Sequence, residues 1–195
     1  MSQVKIQGNA SGTGIFTIAS PNSNSNYTLT LPDATGTFLT NAAQSIPKTA
    51  LPTGSVLQVV QVNYSTQVSW SSQDVETFIY QCAITPTASS SKIVAIAAVG
   101  GLSNGGSGRL SGRIRWDTSS GGTSGTQIAG LTQIALAGAG TSYLGAMAMT
   151  GLSAAVGTTS TLYFKVTMTK GDTGGTMYAC QYGSESQLTL MEIAA

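Results

Sequence analysis

The stretch Thr161-Leu-Tyr-Phe-Lys-Val-Thr-Met-Thr169 decides how this chain is read. Leu162, Phe164, Val166 and Met168 share one parity, and Thr161, Tyr163, Lys165, Thr167 and Thr169 share the other. Successive side chains of a strand point to opposite faces, so the spacing predicts a half-buried β-strand with an apolar inner face and a solvated outer one. Other apolar runs have the length to pack against it. Val56–Val62 is almost continuously apolar, the pattern of a strand buried on both faces. Thr77–Ile84, Lys92–Val99, Arg109–Trp116, Tyr143–Thr150, Gly175–Tyr182 and Gln187–Ile193 follow as further strands. Between them lie loops at Thr85–Ser91, Gly100–Gly108 and Thr118–Gly125, rich in Gly, Ser and Thr. Gln127–Leu136 mixes signals: Ile128, Leu131 and Ile134 have helical spacing, but Gly130 weakens a helix, and the segment is read as a strand with a bulge. Some eight or nine short strands joined by such turns predict an all-β head, an antiparallel β-sandwich of jelly-roll type over residues 55–195. No internal repeat supports a propeller or solenoid.

Upstream of the head, Gly14–Ala19, Tyr27–Leu31 and Gly36–Thr40 read as a short β-meander over residues 1–40. Tyr27, Leu29 and Leu31 fall on one face, and Pro32-Asp-Ala-Thr-Gly36 supplies turn chemistry: Pro fixes φ, Asp bonds the backbone ahead and Gly tolerates positive φ. Three short strands are too few to bury a core. The meander is therefore expected to lie against another surface, self-association being the simplest, with Tyr27, Leu29, Leu31, Asp33 and Phe38 as its attachment or trimer contacts. Residues 41–54, with Pro47 and Pro52 and no periodicity, read as a semi-extended linker.

Composition narrows the function classes. Charged residues make up 8% of the 195, against roughly 25% in an ordinary soluble protein. With 41% hydrophobic residues and clear alternation, the chain is expected to fold rather than remain disordered. A neutral, hydroxyl-rich surface suits packing against copies of itself or a lattice. The net charge of +1 is spread along the chain, whereas nucleic-acid binders concentrate positive charge against phosphates. The longest apolar run, Ile93–Val99, is too short to span a bilayer. No basic region followed by an apolar run opens the sequence, so the expectation is a leaderless protein made in the cytoplasm. Cys82 and Cys180 are then expected as two buried free thiols; a bridge between them is the alternative.

Candidate chemistry is sparse. The absence of histidine removes Ser-His-Asp and Cys-His nucleophiles and most metal sites. No catalytic, cofactor or metal residue is assigned, and the chain is expected not to be an enzyme. Asp74 and Glu76 are the one pairing that a glycosidase reading has to offer; the competing reading is a solvated turn. The glycines of Gly100–Gly108 lack the Lys-Ser/Thr ending of a phosphate loop, which leaves a flexible surface loop. Arg109, Arg113 and Arg115 share strand parity and hold three of the eight cationic charges. Such a row is able to grip an anionic partner, as guanidinium binds carboxylates bidentately, or is simply an exposed face. Tyr64, Trp70, Tyr143, Tyr178 and Tyr182 are read as core or as sugar-stacking platforms.

Two passages carry a resemblance. Tyr27-Thr-Leu-Thr-Leu-Pro-Asp-Ala-Thr-Gly-Thr37 resembles a short β-motif of tailed-bacteriophage fibre proteins, which intertwine or stack as trimers. Pro52-Thr-Gly-Ser-Val-Leu-Gln-Val-Val60, Ile84-Thr-Pro-Thr-Ala-Ser-Ser-Ser-Lys-Ile-Val94 and Leu188-Thr-Leu-Met-Glu-Ile-Ala-Ala195 are similar to C-terminal domains of virion structural proteins in phages of aquatic bacteria, including cyanophages. The resemblance implies a virion surface protein, homotrimeric, with the major capsid protein lattice or tail proteins as partners and no cofactor. A stem of only about 40 residues favours a capsid decoration or cement protein over a tail fibre. A short tail fibre or receptor-binding protein recognising host surface glycans is the alternative.

Overall fold

The computed structural model describes residues 51–104, 108–136, 145–172 and 174–195, and in the first unit only positions 11–13, 15, 22, 24–26 and 28. The backbone divides into two compact units, Met1–Ala43 and Gln44–Ala195. Apart from Ile15 and Thr28, the expected meander strands, and Tyr27, Leu29, Leu31, Asp33 and Phe38 with them, lie outside the described residues.

The second unit is built from strands β1 (Val56–Tyr64), β2 (Val68–Trp70), β3 (Glu76–Ile84), β4 (Lys92–Asn104), β5 (Gly108–Asp117), β6 (Thr126–Leu136), β7 (Gly145–Leu152), β8 (Leu162–Lys170), β9 (Met177–Ala179) and β10 (Ser186–Ile193). One sheet runs β1-β10-β4, with β7 on the other side of β4 and the short β9 and β2 at its far end; the second runs β3-β8-β5-β6. Setting aside the two three-residue strands, first pairs with last (β1 with β10), then β3 with β8, β4 with β7 and β5 with β6, all antiparallel. This nesting, a long hairpin rolled into two sheets, is the jelly roll.

The apolar side of β8 forms the middle of the core. Leu162, Phe164, Val166 and Met168 are all 0% exposed, each burial contributing about 1.5–3 kcal/mol. Facing them from the other sheet are Ile93, Ala95, Ala97 and Val99 of β4 and Leu188 and Leu190 of β10. Tyr80 of β3 ties the sheets together, its hydroxyl 3.0 Å from the carbonyls of both Ala98 and Gln187. Cys82 and Cys180 are free and buried. Among the described residues no helix is long and apolar enough to cross a membrane.

Three expectations change. The outer face of β8 is not solvated: Lys165 and Thr167 are 0% exposed, because other side chains and the β5–β6 connection cover them. Nor is β1 buried on both faces. Among the described residues it is an edge strand bonded only to β10, with Val56 and Val59 50% and 58% exposed. Finally, the glycine-rich segment is largely strand. β4 runs on through Gly100, Gly101, Leu102 and Ser103 to Asn104, and β5 begins at Gly108. A bulge separates Val99 from Leu102, and Gly101 there has φ +59 with the amide of Gln181 2.5 Å from where a Cβ would stand. Glycine serves close approach here. The expected irregularity in the Gln127–Leu136 segment is observed: β6 takes one extra residue opposite Gly112–Ile114 and another opposite Ile114–Arg115. At the head's start, Gly54 N–H donates to Ala194 O (2.8 Å) and Ala194 N–H to Ser55 O (2.9 Å), so the last linker residues are bonded to the C-terminus.

Candidate functional site

The outer face of the β3-β8-β5-β6 sheet gathers most of the ionisable side chains that the sequence singles out. Strand pairing sets Arg115 opposite Lys165 and Arg113 opposite Thr167, while Glu76 on β3 lies opposite Thr169. Arg115 Nε and Nη2 donate to the two oxygens of Glu76 at 2.6 and 2.9 Å, and Nη1 to Gly125 O at 3.1 Å. The Thr167 hydroxyl also donates to Glu76. Arg113 Nη1 donates to Thr169 Oγ1 at 2.6 Å. Arg109 stands apart, 63% exposed and 4.0 Å from Asp172, whose carboxylate also accepts the Arg109 backbone N–H. The three arginines thus share a face but not a role: Arg115 is committed to Glu76, Arg113 to a hydroxyl, and Arg109 remains open to solvent.

Beneath the β5–β6 connection lies the fully buried Lys165, its Nζ 2.8 Å from Asp117 Oδ1 and 3.4 Å from Ser124 Oγ. Asp117 also accepts from the Ser119 N–H (2.8 Å) and the Ser124 hydroxyl (2.7 Å). Gln81 of β3 clips the same connection, donating to Ser120 Oγ and accepting from the Gly121 N–H, both at 2.7 Å. The loop therefore closes over the lysine and supplies the oxygens that satisfy it. A buried charge is tolerated only with such partners.

Burial would raise the Glu76 carboxyl, but hydrogen bonds from Arg115 and Thr167 and the charges of Arg115 and Arg113 outweigh it and hold it below the ordinary value. Asp117 is likewise lowered, the Lys165, Ser124 and Ser119 contacts overcoming burial. A general acid needs the opposite shift. Asp74, the other half of the carboxylate pair, sits exposed in a turn at φ 56, its N–H bonded to Lys170 O (2.8 Å). Glu76 is a structural anchor.

At the end of the sandwich where the C-terminus lies, Glu192 is buried and accepts from Gln58 Nε2 (2.6 Å), Thr87 N–H (2.7 Å) and Thr87 Oγ1 (2.7 Å). These contacts, Thr87 foremost, lower its carboxyl against the effect of burial. A cleft of about 280 Å³ lies nearby, lined by Leu51, Leu57, Thr87, Ala88, Ser90, Ser91 and the terminal alanines. Among the described residues its walls carry hydroxyls and apolar groups but no ionisable side chain. Among the described residues no three His, Cys, Asp or Glu side chains gather as a metal site would require.

Of the aromatics, Tyr64 stacks on Tyr80 at 5.5 Å, Trp70 is buried, Tyr178 is half-buried, and Tyr143 lies outside the described residues. Among the described ones Tyr182 alone is well exposed, at 75%, on the 3-10 turn Gln181–Gly183 with φ 56. Sequence reasoning missed Lys165, Asp117 and Glu192 as fixed charges. A lysine between threonines on the polar parity of a strand signals solvent, and nothing local announces the loop that covers it.

The fold and face define an antiparallel jelly roll whose charges serve its own structure. No protein-family model matches the chain, and no curated protein matches it. Among solved structures, it is similar to a chain in the structure of infectious bursal disease virus Gx strain, at 18% identity and TM-score 0.39, over 71% of this chain and 32% of that one. The Gt strain gives 18% identity, TM-score 0.36, and 71% and 38% coverage. A mutant VP2 protein of the same virus, in derived T=1 particles, gives 18%, 0.33, and 71% and 36%. This chain thus spans about a third of the length of the solved chains it matches. Similarity this loose carries no argument, and the jelly roll rests on the strand order alone.

Proposed function

We propose that this chain is a structural protein of the virion surface in a tailed bacteriophage, a homotrimeric capsid decoration protein attached through its N-terminal segment. The observation that supports it best is the jelly-roll strand order of the head. Jelly rolls recur in capsid subunits and lectins, an analogy of fold rather than of site. The charged side chains of the β3-β8-β5-β6 face support a bracing rather than a chemical role, since Arg115, Glu76, Lys165 and Asp117 hold one another. In this reading the chain is not an enzyme and needs no cofactor. The resemblance of Tyr27–Thr37 to phage fibre motifs supplies the attachment segment and the threefold assembly.

A second reading, a short tail fibre or receptor binder for host glycans, is favoured by Tyr182. An exposed aromatic held at positive φ costs about 1–2 kcal/mol and gains nothing from the core. Pre-incubating host cells with the purified full chain separates the two. A decoration protein leaves phage adsorption unchanged and binds particles that lack it; a receptor binder blocks adsorption, and Tyr182→Ala relieves the block.

A further inference from the structure

The two sheets present opposite outer faces. That of β3-β8-β5-β6 carries the ion pairs; that of β1-β10-β4-β7 carries almost no charge. Cross-strand register places Val59 beside Met191, Met191 beside Val94 and Val94 beside Leu152, one apolar row across all four strands. Val59 and Leu152 at its ends are 58% and 55% exposed, and Ile96 in the neighbouring row is 41% exposed. Lys92, at the start of β4, is the only charged side chain these four strands turn outward, since Glu192 points into the protein.

We infer that this face is where the chain meets a second copy of itself. The inference draws from the proposed function only the expectation of self-association, and holds whether the assembly decorates a capsid or tips a tail. Charge and shape both favour a second copy. A face set on a rotation axis brings each side chain close to its own copies, so charges there repel; a face with one peripheral lysine avoids that cost. A nucleic acid or a charged protein would need complementary charges that the face lacks. A glycan site would need aromatic platforms, and these strands turn none outward along the row. What fits a broad, uncharged sheet with one apolar row, beside uncharged polar side chains such as Gln61, Thr189 and Thr150, is another such sheet. Four strands about 4.8 Å apart and about eight residues long give a footprint of roughly 500 Å². That is most of the roughly 800 Å² each partner contributes to a stable interface, leaving the flanking loops to supply the remainder.

The test uses the full chain. Light scattering on a sizing column gives its native mass for the wild type and for Val94→Lys and Leu152→Glu, two substitutions on different strands. Both variants are expected to melt cooperatively yet run as monomers, or with at least a tenfold weaker association. Leu152→Cys carrying a photo-crosslinker is expected to give an adduct between two copies. A monomeric wild type, an assembly untouched by both variants, or cross-links only to residues 1–43 of the same chain would overturn the inference. None of these results bears on whether the protein lies on a virion, which adsorption and labelling decide separately.

Discussion

Lys165 is the residue on which the covered face depends. Its ammonium is out of water, and among the described residues its one ionic partner is Asp117 at 2.8 Å. Removing one member of such a pair strands the other, at a cost of about 3–5 kcal/mol for a fully buried charge. Asp117→Ala is expected to fall near the lower end of that range, since Asp117 itself is partly exposed and Ser124 stays near the lysine. Adding Lys165→Met to Asp117→Ala should recover most of the loss, and urea unfolding of the two variants measures it. The acid limb of stability belongs to the same groups. Glu76, Asp117 and Glu192 all have folded-state values below their ordinary ones. Each therefore contributes stability above its unfolded value of about 4, lost as pH falls through the folded value. Burial raises Cys82 and Cys180, so the unfolded chain ionises first and stability declines above about pH 8.5. With no histidine, melting temperature should be nearly flat from about pH 5 to 8, a window that a pH series of thermal melts checks.

At the scale of elements, the sequence announces some strands better than others. β8 is legible because Leu162, Phe164, Val166 and Met168 keep strict alternation and all four reach the core. An acid there has no partner, so Phe164→Asp is expected to abolish the cooperative melt of the head; a retained melt would contradict the packing described. The end of β4 is illegible, because Gly100-Gly101 looks like a loop until the chain beyond β9 is seen packed onto it. That difference is measurable. A flexible loop tolerates Gly101→Ala, whereas the strand bulge, with Gln181 2.5 Å away and φ +59, predicts a loss of about 2 kcal/mol or more in urea unfolding. The edge position of β1 was hidden for another reason: continuous apolar content looks the same in a central strand and in an edge strand whose outer side adjoins an apolar face. The arginine row shows both limits at once. Parity correctly groups Arg109, Arg113 and Arg115 on one face, but the carboxylate that engages Arg115 belongs to Glu76, two strands away through β8.

Across the whole molecule, nested pairing of first strand with last makes the head a closed unit whose two outer faces differ in charge. One face spends its charges on itself; the other has almost none to spend. The proposed role as a particle subunit asks for a stable block of this kind, together with the attachment segment and the copy-facing surface proposed above. The measurement that tests the account most directly is gold labelling of intact, purified particles with an antibody raised against the folded chain. Label distributed over the particle surface, concentrated on the capsid, is the predicted result. Particles that carry no label, although the chain is made in the same infected cells, would contradict the account.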